Sequence, residues 1–192
     1  GAGTNYASGL TTYSSSGSTT LYAKWTRTIT YNVNGAASGS PSETSTVFTN
    51  SETATISSFP TVGSMVRTGY TFAGWSTTTT GAVLTTPYVT TGEVILYAKW
   101  NANTYSVTYD SSTATAATST LMANTSFTAG TAFTLRSNLF ARTGYIFDGW
   151  NTAADGSGTS YTNTQSVTLY GDMTLYPKWT VYAPGVPTVS VS

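Results

Sequence analysis

Polar and apolar residues alternate along several short stretches of this chain. In Thr28-Ile29-Thr30-Tyr31-Asn32-Val33 a period of two places Ile29, Tyr31 and Val33 on one face, which predicts a strand buried on one side. Asn34-Gly35 then offers a turn. Tyr105-Ser106-Val107-Thr108-Tyr109 repeats the pattern and breaks at Asp110-Ser111-Ser112. In Leu96-Tyr97-Ala98-Lys99-Trp100 the same alternation puts Leu96, Ala98 and Trp100 on the core side and Tyr97 and Lys99 on the other. Tyr70, Phe72 and Gly74 alternate with Thr71, Ala73 and Trp75, and because both sets carry an aromatic, the pattern leaves open which one faces inward. Helical spacing is convincing only around Phe133 to Phe140, in a chain rich in the poor helix formers Thr, Ser and Gly. The expectation is a mostly β protein of small mixed sheets, with at most one short helix per unit.

Two phrases recur, and they divide the chain. Leu21-Tyr22-Ala23-Lys24-Trp25 returns as Leu96-Tyr97-Ala98-Lys99-Trp100 and again as Leu175-Tyr176-Pro177-Lys178-Trp179, at spacings of 75 and 79 residues. Arg67-Thr68-Gly69-Tyr70-Thr71-Phe72-Ala73-Gly74-Trp75 returns as Arg142-Thr143-Gly144-Tyr145-Ile146-Phe147-Asp148-Gly149-Trp150. All 5 tryptophans lie in these phrases. The spacing predicts full repeats over 26–100 and 101–179. Residues 1–25 read as the back half of a truncated repeat, and 180–192 as a linker or donor strand. Gly69 should serve a left-handed turn and Gly74 a close approach, and Gly144 and Gly149 repeat them. Burying one aromatic of roughly 150 to 250 Å² yields about 4 to 6 kcal/mol gross. Two tryptophans per repeat therefore dominate so small a core.

Gly-Tyr-x-Phe-x-Gly-Trp followed by Leu-Tyr-Ala-Lys-Trp resembles the Listeria–Bacteroides repeat, also called the internalin B-repeat family. The resemblance implies a ubiquitin-like β-grasp fold, hence α+β, in arrays on bacterial surface proteins. It brings no catalytic residues. The chain departs from the family in longer units, in the insertion Ser111 to Thr120, and in Pro177 where the other copies carry alanine.

Composition narrows the chemistry. Only 7% of residues are charged and the net charge is zero, which leaves no basic footprint for nucleic acid. Cysteine and histidine are absent, removing disulfides, thiolate chemistry and the usual proton shuttle. No apolar run approaches the roughly 20 residues that span a bilayer. Together with Ser/Thr richness, this points outside the cell, and the resemblance implies that the cell is bacterial, with the protein secreted or on its surface.

Candidate chemistry is thin. Asp110, Asp148, Asp155 and Asp172 are the carboxylates that a glycosidase would need, but the counterparts of Asp110 and Asp148 in the first repeat are Gly35 and Ala73, so nothing ties the four to a shared site. Asp155-Gly156-Ser157-Gly158 with Asn151 or Asp148 offers hard oxygens for calcium, and turn chemistry is the simpler reading. Lys24, Lys99 and Lys178, each beside a tryptophan, invite isopeptide crosslinks but suit edge-guarding. Asn124-Thr125-Ser126 fits a glycosylation triplet, and the 14 tyrosines a sugar-stacking platform. The sequence thus predicts a non-enzymatic stalk or spacer of an adhesin-like protein, with no catalytic, cofactor or metal set. Its structural residues are Leu21, Trp25, Gly69, Tyr70, Phe72, Gly74, Trp75, Leu96, Tyr97 and Trp100, with Gly144, Tyr145, Phe147, Gly149, Trp150, Leu175, Tyr176 and Trp179. Its partners would be neighbouring repeats. Two other readings stay open: a carbohydrate- or host-protein-binding module using loops such as Asn151 to Thr164, and a filament subunit in which Val186 to Val191 lends a strand to Leu21 to Trp25 of another copy.

Overall fold

The computed structural model describes residues 26–49, 53–114 and 121–183. All regular structure among them is strand. β1 (Thr26–Asn32), β2 (Ser45–Thr49), β3 (Ala54–Ile56), β4 (Tyr70–Ser76), β5 (Tyr88–Thr90) and β6 (Val94–Ala102) build the first repeat. The second is built by β7 (Thr104–Tyr109), β8 (Thr125–Thr128), β9 (Ala132–Thr134), β10 (Tyr145–Asn151), β11 (Ser160–Tyr161), β12 (Ser166–Thr168) and β13 (Met173–Val181).

Each repeat holds one larger sheet and one ribbon. The sheets run β2-β1-β6-β4 and β11-β10-β13-β7-β8, and the ribbons pair β3 with β5 and β9 with β12. At the centre of each sheet the opening and closing strands lie parallel, with Ile29 opposite Val94 and Val107 opposite Met173. A parallel pair needs a long crossover. The chain between those strands supplies it, and its ribbon packs on the sheet, so Ala54 and Ile56 share a core with Ile29, Leu96 and Trp75. The second core gathers Val107, Leu135, Trp150, Val167 and Leu175 in the same manner.

The alternation read from sequence holds in the opening and closing strands. Ile29, Leu96, Ala98, Val107 and Leu175 are buried, and Asn34 and Gly35 turn the chain at φ 42 and 83. It fails in β4 for an identifiable reason. A β-bulge between Phe72 and Gly74 shifts the register, so that Phe72 faces Trp100 and Trp75 faces Ala98 across the same pair of strands. Both aromatics therefore point inward, one from each set that simple alternation kept apart. The shift recurs in β10, where Phe147 lies opposite Trp179 and Trp150 opposite Pro177.

These bulges assemble an aromatic ladder in each core. Phe72 meets Trp75 and Trp100 edge-on, at ring separations of 5.5 and 5.6 Å, and Tyr31 lies 4.9 Å from Trp75. In the second repeat Phe147 meets Trp150 and Trp179 at 5.1 and 5.9 Å, and Tyr109 lies 5.0 Å from Trp150. Such tilted and edge-on pairs are the favoured aromatic geometries.

The α+β character implied by the resemblance, and the helical spacing around Phe133 to Phe140, are not met among the described residues. That segment forms β9 and then an irregular run that buries Leu135 and Phe140. Its backbone is held by side chains instead of helical bonds: Arg136 N donates to Tyr109 Oη at 2.8 Å, and Phe140 N to Asn138 Oδ1 at 2.9 Å. Apolar spacing here marks burial, and local hydrogen bonding to Asn overrides the helix.

Candidate functional site

The residues that do most to position one unit against another lie where the repeats meet. β6 ends at Ala102 and β7 begins at Thr104, which leaves only Asn103 between them. Its amide donates to Gly69 O at 2.9 Å and its carbonyl accepts from Ala129 N at 2.9 Å. One residue is thus bonded backward to the first repeat and forward to the second. Its side chain adds to this, with Oδ1 accepting from Thr71 Oγ1 at 2.7 Å and Nδ2 donating to Tyr105 Oη at 3.4 Å.

Two turns face each other across this residue. The turn of the first repeat closes through Tyr70 N to Arg67 O at 3.0 Å, and that of the second through Thr131 N to Thr128 O at 3.1 Å. The Arg67 guanidinium lies 4.1 Å from the Tyr70 ring centre, and Tyr70 Oη donates to Ala129 O at 3.4 Å. Gly69, at φ +80, is so close to the second repeat that a Cβ on it would stand 2.9 Å from Ala129 Cβ and 3.1 Å from Tyr170 O. Gly130 is approached in turn by Tyr70 Oη and the Tyr170 ring. Ala129 is only 2% exposed, so the contact is dry at its centre.

The sequence singled out one half of this junction. Gly69 and Tyr70 meet Ala129, Gly130 and Tyr170, none of which belongs to a repeated phrase. An Ala-Gly pair after a strand is an ordinary turn signal, and nothing in it reveals a partner. Of the other residues singled out, Trp75, Trp150, Leu96 and Leu175 are fully buried, Trp100, Trp179, Phe72, Phe147, Tyr97 and Tyr176 are half-buried, and Leu21, Trp25 and Lys24 lie outside the described residues. At Gly74, with φ +136, a Cβ would meet Val83 Cγ1 at 2.6 Å, and at Gly149 it would meet Tyr161 O at 2.6 Å.

The carboxylates are dispersed into separate structural tasks. Asp148 pairs with Lys178 at 3.1 Å, and Asp172 Oδ1 accepts from Ser106 N at 2.8 Å. Hydroxyl and amide hydrogen bonds from Ser112 hold Asp110 below the usual carboxylate range, and Ser157 does the same for Asp155. Lys99 Nζ donates to Thr79 O at 3.1 Å, and Asn124 is exposed just before β8. Among the described residues no three metal-ligating side chains gather. The organiser of the loop after β10 is Asn151, 1% exposed. Its Nδ2 donates to Gly156 O, Gly158 O and Ser160 Oγ, and its Oδ1 accepts from Ala153 N and Gly158 N. The first repeat has Ser76 in the equivalent place, so recurrence gave no hint of this role. Beside the loop lies a polar recess of about 340 Å³, bounded by Arg142, Asn151, Asp155, Lys178 and Trp179.

A Gly-rich membrane protein of Evansella cellulosilytica is 32% identical over 133 aligned positions, which cover 62% of this chain and 15% of that protein. The chain therefore corresponds to a small part of that relative's length. The model of the Listeria-Bacteroides repeat domain matches residues 28–99 and again 105–178, each span closing within one residue of a repeat's last tryptophan. With those two matches covering more than half of its length, the chain belongs to the Listeria-Bacteroides repeat domain family.

Proposed function

We propose that these repeats form a stiff, non-enzymatic spacer in a bacterial surface protein, exposed outside the cell, whose partners in the first instance are its own neighbouring repeats. One observation carries the reading: the repeats are joined by a single residue, Asn103, bonded through its backbone to both. Domains in one chain move relative to each other by default unless the interface is dry and well packed. Here the linker has no slack, and Gly69, Ala129 and Tyr170 close around it. Membership in a family found in bacterial surface proteins supports the location. The parallel central strands flanked by antiparallel ones support a β-grasp-like origin for each unit. The separate tasks of the four carboxylates support the absence of catalysis.

Electron-electron distance measurements test stiffness directly. The chain has 0 cysteines, so spin labels at Thr55→Cys and Thr168→Cys report one distance between the repeats. A single narrow distribution is expected, and a broad one would sink the spacer reading.

A second reading is favoured by the recess beside the Asn151 loop, whose organising residue Asn151 is replaced by Ser76 in the first repeat. Arg142, Asp155 and Lys178 at its margin would suit a glycan or a polar peptide of a host protein. A glycan array returning a specific ligand, lost on Asn151→Ser, would promote it. The filament reading rests on Leu21 to Trp25 and Val186 to Val191, which lie outside the described residues.

A further inference from the structure

The turn that seats the second repeat has a twin one repeat further along. Arg142-Thr143-Gly144-Tyr145 matches Arg67-Thr68-Gly69-Tyr70 residue for residue. It closes with Tyr145 N donating to Arg142 O at 3.1 Å, and the Arg142 guanidinium lies 3.9 Å from the Tyr145 ring centre. Gly144 O accepts from Tyr182 N at 2.9 Å, as Gly69 O accepts from Asn103 N at the same distance. The φ values, +77 and +80, agree as well.

Only the cover differs. Gly69 is buried against Ala129 and Tyr170, whereas Gly144 is exposed and, among the described residues, nothing but its chain neighbours lies within 4 Å of where its Cβ would stand. Around it Tyr145, Ile146, Val181 and Tyr182 are 37%, 51%, 70% and 56% exposed. Tyr145 and Val181 are partners across β10 and β13, as Tyr70 and Ala102 are across β4 and β6 beside the occupied turn. Large apolar groups gathered at one end of a soluble fold mark a contact surface.

We propose that this end is the seat of a further repeat of the same build. The incoming unit would set a small residue and a glycine where Ala129 and Gly130 sit, and an aromatic ring where Tyr170 sits. The internal junction is the template: the receiving turn is already in the shape that the occupied turn has, down to its backbone hydrogen bonds. The two seats are not identical in character. Ile146 stands where Thr71 stands, and Tyr182 where Asn103 stands, so the 2.7 Å polar bond of the first junction gives way to an apolar pair. The repeat that docks here should therefore match apolar surface at that spot. This inference rests on the spacer reading for the stiffness of a docked junction, and goes beyond it in assigning the occupant.

The test extends the chain itself. Residues 1–182 are followed directly by a second copy of residues 104–192, so that Thr104 of the copy follows Tyr182 as it follows Asn103. Labels at Thr55→Cys and Thr168→Cys read the existing junction, and labels on Thr168→Cys in both copies read the new one. Narrow distributions at both junctions are expected, with Gly144→Val broadening only the second. Tyr145→Ser with Ile146→Ser should do the same in a turn that keeps its glycine. A broad second distribution beside a narrow first overturns the docking seat and leaves the spacer standing, and breadth at both overturns the spacer too. Binding of the unextended chain to phosphatidylglycerol vesicles, lost in the Tyr145→Ser, Ile146→Ser variant, would reassign the face to a membrane and overturn the proposal.

Discussion

Replacing Gly69 and Gly144 by alanine, one at a time, separates backbone strain from the junction. Both residues are third in the same Arg-Thr-Gly-Tyr turn, at φ +80 and +77, so each alanine must adopt a left-handed backbone at a cost of about 1 to 2 kcal/mol. At Gly144 that is the whole cost, since among the described residues no atom beyond its chain neighbours lies within 4 Å of the new methyl. At Gly69 the methyl would stand 2.9 Å from Ala129 Cβ and 3.2 Å from Tyr170 Cβ. Carbon atoms settle at about 3.5 to 4.0 Å, so the two turns must separate. Overpacking of this kind adds roughly 1 to 3 kcal/mol. Separation also strains Asn103 N to Gly69 O and Tyr70 Oη to Ala129 O. Gly69→Ala should then cost about 2 to 5 kcal/mol and Gly144→Ala about 1 to 2. Urea unfolding followed by tryptophan fluorescence reads the totals, and hydrogen exchange locates them. The Asn103 and Ala129 amides should exchange faster in Gly69→Ala and stay protected in Gly144→Ala. Equal losses, or unchanged protection of both amides in Gly69→Ala, would refute the claim that the turns are pressed together.

Three further outcomes follow from the cores and loops. Trp75 Nε1 donates to Pro60 O at 2.8 Å, whereas Trp150 Nε1 is buried without a partner among the described residues, so Trp75→Phe should cost roughly 1 to 3 kcal/mol more than Trp150→Phe in paired unfolding curves. Asn151→Ser, which installs the residue of the first repeat, removes most of the five bonds that shape the loop. It should cost about 2 to 4 kcal/mol and speed exchange of the Ala153 and Gly158 amides, and unchanged exchange there would show that the loop holds itself. Asp110 and Asp155 have depressed folded pKa values, so their contributions are present above the unfolded value of about 3.9 and lost as pH falls through the folded ones. Carboxyl titration by NMR should place both midpoints below that value, and Ser112→Ala and Ser157→Ala should each raise its own partner's midpoint.

Much of the fold was legible because each repeat states its strands twice. The opening and closing strands announce themselves by strict alternation, and Leu96, Ala98, Val107 and Leu175 lie where a period of two places them. The middle strand could not be read in this way. A bulge adds one residue to one strand and no mark to the sequence beyond a glycine, so Phe72 and Trp75 fall in opposite sets although both face the core. Gly74, at φ +136, is the trace of that event, and it is visible only to a reader who asks what a left-handed residue would do inside a strand. The irregular run after β9 misled for the opposite reason. Its apolar spacing fits a helix, but Asn138 bonds both the amide and the carbonyl of Phe140, and the backbone has no need of helical partners.

The division between what recurs and what does not has a physical meaning. Residues that recur sit mainly where each unit must fold by itself: the tryptophans, the bulge glycines and the parallel central strands. Residues that join the units recur on one side alone. Gly69 and Tyr70 return as Gly144 and Tyr145, but Tyr170, which covers Gly69, has Thr91 as its counterpart 79 residues earlier. A repeat of this chain thus offers the same turn at its far end while its near end varies. An invariant turn keeps the receiving end of each repeat constant, while a residue that covers it, Tyr170 in the second repeat, is free to differ from its counterpart Thr91 in the first.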